Sequence, residues 1–307
     1  MITSRSTVAP RLSIPVAEAG LRARAPAKVN LSLAITGRRA DGWHELASLV
    51  AFARFGDTLS LQEGTGLSLK LDGPTAGQAG PPADNLVLAA ARHFALQVPG
   101  ARLGAFHLVK RIPVAAGLGG GSADAAAALR LLARANNLPL DDPRVAAAAQ
   151  ATGADVPVCL ASRPRIMSGT GAQLGPEWPL PALFAVLVNP GVAVATRDVF
   201  AAMRLQPGQA AMASRVPVLP QHCDRARLVA ALKRARNDME DAACSLAPVI
   251  VAVLAVLSAA RGARLARMSG SGATCFALFD NRHTASRAAR AIKRDHPGWW
   301  VRAGVLG

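Results

Sequence analysis

Pro113-Val-Ala-Ala-Gly-Leu-Gly-Gly-Gly-Ser-Ala-Asp-Ala-Ala-Ala-Ala128 decides how the chain is read. Gly117, Gly119, Gly120 and Gly121 give a backbone that bends freely and lets a ligand come close. Ser122 is suited to cap a helix, with Asp124 in its first turn and an alanine-rich run behind. A helix start of this kind presents unpaired N–H groups and the positive end of a dipole, the chemistry of a phosphate cradle. No lysine follows the glycines, so the stretch is not a Walker A loop. A dinucleotide fingerprint fails too: Ser122 stands where a third Gly or Ala belongs, and Asp141 and Asp142 follow Leu-Pro-Leu as a turn, not a second strand.

Outward from the loop, 105–110 reads as the strand that feeds it and 123–135 as the helix that leaves it. Upstream, Val29, Leu31, Leu33 and Ile35 alternate with Lys28, Asn30, Ser32 and Ala34, the period of a half-buried strand with Lys28, Asn30 and Ser32 on one face. Residues 37–42 form a turn, and a new segment starts at Trp43-His44-Glu45-Leu46. An aromatic ring beside an imidazole can stack on and hydrogen-bond a heterocyclic base, although such a pair also serves simply as packing. Helices are expected over 86–96 and 145–151, the second ended by Thr152-Gly153, with Asp155 following in Gly-Ala-Asp-Val-Pro. Beside a phosphate loop, a carboxylate and a lysine are what phosphoryl transfer needs: one to orient and deprotonate a hydroxyl, one to hold that carboxylate ionised. Taken alone, Asp155 reads equally as a turn residue and Lys28 as a strand-edge lysine.

Glycines and prolines cluster over 162–181 and mark a domain boundary. Beyond it come a strand at 184–188, helices around 226–236 and 249–260, a second small-residue turn at Met268-Ser-Gly-Ser-Gly-Ala-Thr274 leading into a strand, and a helix over 284–293. The resulting expectation is an α+β protein with an ill-ordered tail at 1–20, an N-terminal domain over 21–165 and a C-terminal substrate domain over 166–307.

Composition narrows the classes. Hydrophobic residues make up 51% of the 307, enough for a core and too many for a disordered chain. The longest apolar run, around 249–257, is too short to span a bilayer, and the arginines and serines at the start lack the apolar core of a signal peptide; the expected place is the cytosol. Cys159, Cys223, Cys244 and Cys275 form no Cys-x-x-Cys pair and the six histidines no His-x-x-x-His pair, which argues against a zinc site. A net charge of +16 is spread as arginine along the chain with only 4% aromatic residues and no tyrosine, unlike the concentrated basic and aromatic surface of a nucleic-acid binder. Such a field suits small polyanionic substrates.

The Gly-Leu-Gly-Gly-Gly-Ser-Ala loop, Pro26-Ala-Lys-Val-Asn-Leu31, Gly37-Arg-Arg-Ala-Asp-Gly-Trp-His-Glu-Leu46, Asp84-Asn-Leu86, Lys110-Arg-Ile-Pro113 and Gly153-Ala-Asp-Val-Pro157, in this order, resemble the GHMP kinases from about residue 24 through the Ser-Gly-Ser-Gly-Ala turn. The resemblance implies an S5-like N-terminal domain and a ferredoxin-like C-terminal domain. It is nearest to members that phosphorylate a cytidine diphosphate-linked methylerythritol in the non-mevalonate route to isoprenoid precursors. By that likeness Lys28 and Asp155 are the catalytic pair. Pro113, Val114, Ala115, Ala116, Gly117, Leu118, Gly119, Gly120, Gly121, Ser122 and Ala123 cradle the phosphates of ATP, used with Mg2+. Asn30 holds the erythritol end, Trp43 and His44 meet the cytosine, and Thr196 and Phe200 complete the cytidyl pocket. No resident metal site, nucleic acid or membrane partner is implied, and monomer or homodimer is left open. Three positions depart from the family pattern: Trp43 for a tyrosine, Arg197 for a proline, and Ala115-Ala116 for glycines. Kinases of the same family acting on homoserine, mevalonate or a sugar lack a use for the 41–46 segment. An RNA-binding module and a nicotinamide-dependent oxidoreductase are the readings from other classes.

Overall fold

The computed structural model describes residues 20–211 and 223–307. Residues 1–19, most of the expected tail, lie outside that range. In chain order the regular elements are β1 (Leu21–Asn30), β2 (Ala34–Arg38), β3 (His44–Gly64), β4 (Ser68–Asp72), α1 (Leu86–Gln97), β5 (Leu103–Val109), α2 (Gly120–Ala135), α3 (Pro143–Thr152), α4 (Val156–Ala161), β6 (Arg165–Gly169), β7 (Gln173–Glu177), β8 (Leu183–Asn189), α5 (Thr196–Ala202), α6 (Arg225–Arg234), α7 (Glu240–Leu246), α8 (Val249–Ala259), β9 (Ala263–Met268), β10 (Cys275–Phe279), α9 (Arg282–Asp295) and β11 (Trp300–Leu306). The α+β class holds.

The 21-residue strand β3 is the spine. β1, β2, β5 and β6 pair with it antiparallel, and β4 joins parallel at the edge of β5. A second set, with β8 between β11 and β10 and β9 outermost, meets this sheet at one pair, Leu306 with Ala53. β3 alternates across its pleat: Val50 and Phe52 pack against the core of α1–α4, while Leu49, Ala51 and Ala53 pack with residues of the other half such as Leu183, Leu187 and Phe276.

That double burial corrects the expectation of a half-buried β1. Lys28, Asn30 and Ser32 share a face, but all three are buried, at 3–4% exposure, because helices cover the side that alternation had assigned to water. Lys28 and Asn30 are the register partners of Phe52 and Val50, which places them on the side of the sheet that faces α2. β1 also stops at Asn30 instead of running on to Ile35.

The helix start differs as well. Ser122 is not the N-cap of α2; Gly119 is, in the left-handed region at φ +59°, and Ser122 sits in the first turn. The physical reason is the left-handed turn at Gly119, which glycine adopts without cost, and a Cβ there would also lie a tight 3.1 Å from Cε of Lys28. Elsewhere the capping chemistry is as the sequence suggests, with Asn85 accepting from Val87 N at 3.0 Å to start α1 and Asp142 accepting from Arg144 N at 2.9 Å to start α3. The Gly/Pro-rich stretch 162–181 contains the hairpin β6–β7, whose first strand pairs with β3.

Candidate active site

Between the start of α2, the end of β1 and the 268–274 turn lies a cleft of about 550 Å³. At its centre the ammonium of Lys28 lies 3.0 Å from Oδ2 of Asp155. Lys28 comes from β1, whose register shifts between Pro26 and Lys28, and its own N–H bonds the Leu118 carbonyl at 2.9 Å, so strand and loop are laced together here. Asp155 stands at the N-terminal boundary of α4 after Gly153, with its side chain not used as a cap and 39% exposed to the cleft. A buried cation lies against a carboxylate that is open to the cleft, so the carboxylate can reach a substrate there.

The loop presents itself unevenly. Ala115, Ala116, Gly117, Gly119, Gly120, Gly121 and Ser122 line the cleft. Pro113 and Val114 face a smaller neighbouring pocket of about 160 Å³, with Gly120, Gly121 and Asp124 on its far wall. Leu118 and Ala123 point into the core at 1% exposure, and the N–H of Ala123 is already bonded to the Gly119 carbonyl at 2.8 Å. The donors at the helix start are therefore the N–H groups of Gly120, Gly121 and Ser122, which precede the first helical bond. Ala115 adopts φ +50°, a conformation that costs a Cβ-bearing residue energy.

Three side chains lock the loop, the end of β1 and the 268–274 turn in place. Ser269 Oγ donates to the Gly117 carbonyl at 2.9 Å and accepts from Asn30 N at 3.1 Å. Asn30 Nδ2 donates to Ser48 Oγ at 2.7 Å, which leaves its Oδ1 near the Lys28 ammonium at 3.5 Å. Asn237 Nδ2 donates to the carbonyls of Met268 and Gly270 at 2.9 and 2.8 Å, fixing the turn itself. Gly117 has no room for a side chain, since a Cβ would lie 2.2 Å from the Ser269 carbonyl oxygen. Sequence reading missed Ser269 and Asn237 as members of the site; the small-residue turn was visible, but the Asn30 and Gly117 groups that Ser269 joins are remote from it along the chain.

At the far end of the cleft, His44 and Phe200 stack with ring centroids 4.2 Å apart and planes 15° from parallel. His44 Nε2 is buried without a hydrogen-bond partner among the described residues, and burial, helped by the Arg38 charge, pulls its pKa below the ordinary value of 6.5. Burial therefore favours the neutral ring. Thr196 Oγ1 lies 2.8 Å from Ser271 Oγ on the same wall. Trp43 stands at the rim, 65% exposed. Every residue read from the sequence as a site residue is therefore in or beside this one cleft, apart from Leu118 and Ala123, whose side chains are in the core.

The comparisons agree with this geometry. Residues 85–163 match the GHMP kinases N terminal domain and residues 224–298 the GHMP kinases C terminal domain. A 4-diphosphocytidyl-2-C-methyl-D-erythritol kinase of Methylobacterium radiotolerans is 58% identical, over 91% of this chain and 96% of the relative. The chain belongs to the GHMP kinases. A protein of Xanthobacter autotrophicus with the same name as the first relative is 57% identical, over 93% of this chain and 99% of that one. Among solved structures, a 4-(cytidine 5'-diphospho)-2C-methyl-D-erythritol kinase superposes with a TM-score of 0.71 at 33% identity, covering 94% of this chain and 99% of its own. A homoserine kinase from Cytophaga hutchinsonii shares the fold, at a TM-score of 0.62 and 20% identity, covering 96% and 97%. This GHMP kinase is a small-molecule phosphotransferase. None of its described helices is long and apolar enough to cross a membrane.

Proposed function

We propose that this kinase transfers the γ-phosphoryl group of Mg-ATP to the 2-hydroxyl of 4-diphosphocytidyl-2-C-methyl-D-erythritol, a step of non-mevalonate isoprenoid precursor synthesis. The observation that carries the reading is the placement of the Lys28–Asp155 pair between the phosphate loop and the His44–Phe200 stack, in a chain whose relatives bear that enzyme's name. Phosphates at the N–H groups of Gly120, Gly121 and Ser122 put the γ-phosphorus towards Asp155. Asp155 accepts the proton of the attacking hydroxyl as the new P–O bond forms, and the bond from phosphorus to the β–γ bridging oxygen breaks to release ADP. Lys28, 3.0 Å from Asp155, holds that carboxylate in place and offsets the charge gathering on the transferring group.

Asn30, held by Ser48, orients the polyol beside Lys28. His44, on the cleft wall against Phe200, hydrogen-bonds the cytosine edge. Among the described residues no three His, Cys, Asp or Glu side chains gather into a metal site. The Ser122 hydroxyl and the Asp155 carboxylate on the cleft wall would be the protein oxygens to hold Mg2+, which would neutralise charge on the nucleotide phosphates. Phosphorus and carbon NMR of the product tests the assignment: a new phosphomonoester coupled to the quaternary carbon C2 is expected, and a phosphate on any other hydroxyl would contradict it.

A further inference from the structure

Beneath the phosphate loop lies a buried charge cluster that the transfer chemistry does not use. Lys110, which follows β5, is 3% exposed, and its ammonium sits 2.6 Å from Oδ2 of Asp57 and 2.7 Å from Oδ2 of Asp124. Both aspartates are 1% exposed. They belong to different elements, Asp57 to the spine strand β3 and Asp124 to the start of α2.

The cluster also holds the backbone. Asp57 Oδ1 accepts from the N–H groups of Arg111 and of Ile112, the latter at 2.9 Å. The Thr75 hydroxyl donates to the Ile112 carbonyl at 3.0 Å, and Lys110 N donates to the Asp72 carbonyl at 2.7 Å. The chain is thus fixed through Ile112, immediately before the loop opens. On the other side of the loop, the ideal Cβ direction of Gly120 ends 3.5 Å from the Lys110 ammonium, so that ammonium sits under the first residue of α2.

The charges fit an anion site only if they balance. Two full carboxylates with one ammonium would leave negative charge under the place where phosphates sit. Burial pushes the Asp124 carboxyl well above the usual carboxylate range, and its Oδ1 has no partner among the described residues, both of which favour its neutral form. For Lys110, burial alone would lower the pKa, but the carboxyl oxygens of Asp124 and Asp57 that accept from it, with the charge of Asp57, outweigh burial and keep the ammonium charged. A buried ion cluster is a weak stabiliser compared with apolar packing of the same volume, so what it contributes is a defined geometry.

We infer that Lys110 is a positioning residue for the nucleotide: with Asp57 and Asp124 it clamps the loop entry and the start of α2 onto β3, which keeps the N–H groups of Gly120, Gly121 and Ser122 aimed at the phosphates. Lys110 itself touches no reacting atom. The inference rests on the nucleotide half of the reading above, and it is judged by nucleotide binding, whether or not the cytidyl alcohol is the acceptor.

The test compares the intact protein with Lys110→Met, Lys110→Arg and the double variant Lys110→Met/Asp124→Asn, using calorimetry with ADP and, separately, with cytidine 5'-diphosphate. Lys110→Met leaves two buried carboxylates without a cation and is open to misfolding. The double variant avoids this, because the remaining Asp57 carboxylate keeps its two backbone donors. Thermal unfolding confirms which variants are folded. In the folded variants lacking Lys110, ADP affinity is expected to fall by about tenfold or more, the scale that misplaced binding groups produce, with cytidine diphosphate affinity within about twofold. Lys110→Arg, which keeps a cation, recovers part of the loss. ADP affinity unchanged in the double variant, or a parallel loss of both affinities, would overturn the inference.

Discussion

At the residue scale, function rests on where two ordinary side chains were placed. Lys28 and Asp155 are each weak signals in the sequence, one a strand lysine and the other a turn aspartate, and only the fold brings them to 3.0 Å. Replacing Asp155 by Asn or Lys28 by Met is expected to lower kcat by about a hundredfold or more with the ATP KM little changed, because both act on the transition state more than on nucleotide binding. Steady-state kinetics at saturating acceptor check this, and near-normal turnover in either variant removes their roles. His44 makes a pH prediction. Its pKa lies below 6.5, so the imidazole is neutral at and above that pH and takes up a proton as pH falls below it. A charged ring stacked on Phe200 loses its acceptor nitrogen, so the acceptor KM is expected to rise as pH drops below about 6.5, the ordinary histidine value, while His44→Phe shows a raised and flat KM. The same depressed pKa means that the contribution of His44 to stability is present above the unfolded value and is lost as pH falls through the window below it.

At the element scale, the strand, loop and helix of the phosphate site were legible because their signals are local: apolar alternation, four glycines, an alanine run. The boundary of α2 was not. Capping preference favours Ser122, yet the helix starts directly after the loop bends through the left-handed region at Gly119, close against Lys28 of β1. Sequence spacing carries no information about a strand so far upstream. The two assignments differ in outcome. An N-cap serine changed to alanine costs about 1 kcal/mol of stability, whereas Ser122→Ala here is expected to leave the unfolding midpoint in denaturant nearly unchanged and to raise the ATP KM. Gly119→Ala should destabilise by about 1–2 kcal/mol from the left-handed backbone alone, and chemical denaturation measures it. The short helices α4, α5 and α7, of six or seven residues, were also missed as helices, because runs that short show too few turns for a 3.6-residue period to emerge.

At the scale of the whole molecule, the two strand sets share a single register pair, and backbone bonds such as Gly307 N to the Phe52 carbonyl and Leu33 N to the Arg236 carbonyl are joined by side-chain ties. Arg267 is the clearest such tie: at 6% exposure its guanidinium donates to the carbonyls of Leu31 at 2.7 Å, Leu232 at 2.8 Å and Ala235 at 2.6 Å. Leu31 follows β1 directly, and Arg267 precedes the turn that carries Ser269, so this side chain ties the end of β1 to α6 and the turn. Arg267→Met removes the guanidinium donors of the Leu31 and Ala235 carbonyls, while the Leu232 carbonyl keeps the Ala235 N–H at 3.1 Å, and is expected to cost about 3 kcal/mol, read from denaturant unfolding. None of this was visible in the sequence, where Arg267 looked like part of a solvated basic surface; long-range burial is a property of the packed molecule. The order of motifs along the chain, by contrast, was enough to give the α+β class and the family.

The central claim is that the phosphate loop, the Lys28–Asp155 pair and the His44–Phe200 stack form one site for a cytidyl alcohol and ATP. Its most direct test is ADP release by the purified protein with Mg-ATP and 4-diphosphocytidyl-2-C-methyl-D-erythritol, run beside homoserine, mevalonate and galactose. The account predicts turnover with the cytidyl compound alone. Turnover with another alcohol in its place, or none with any of the four from folded protein, would contradict it.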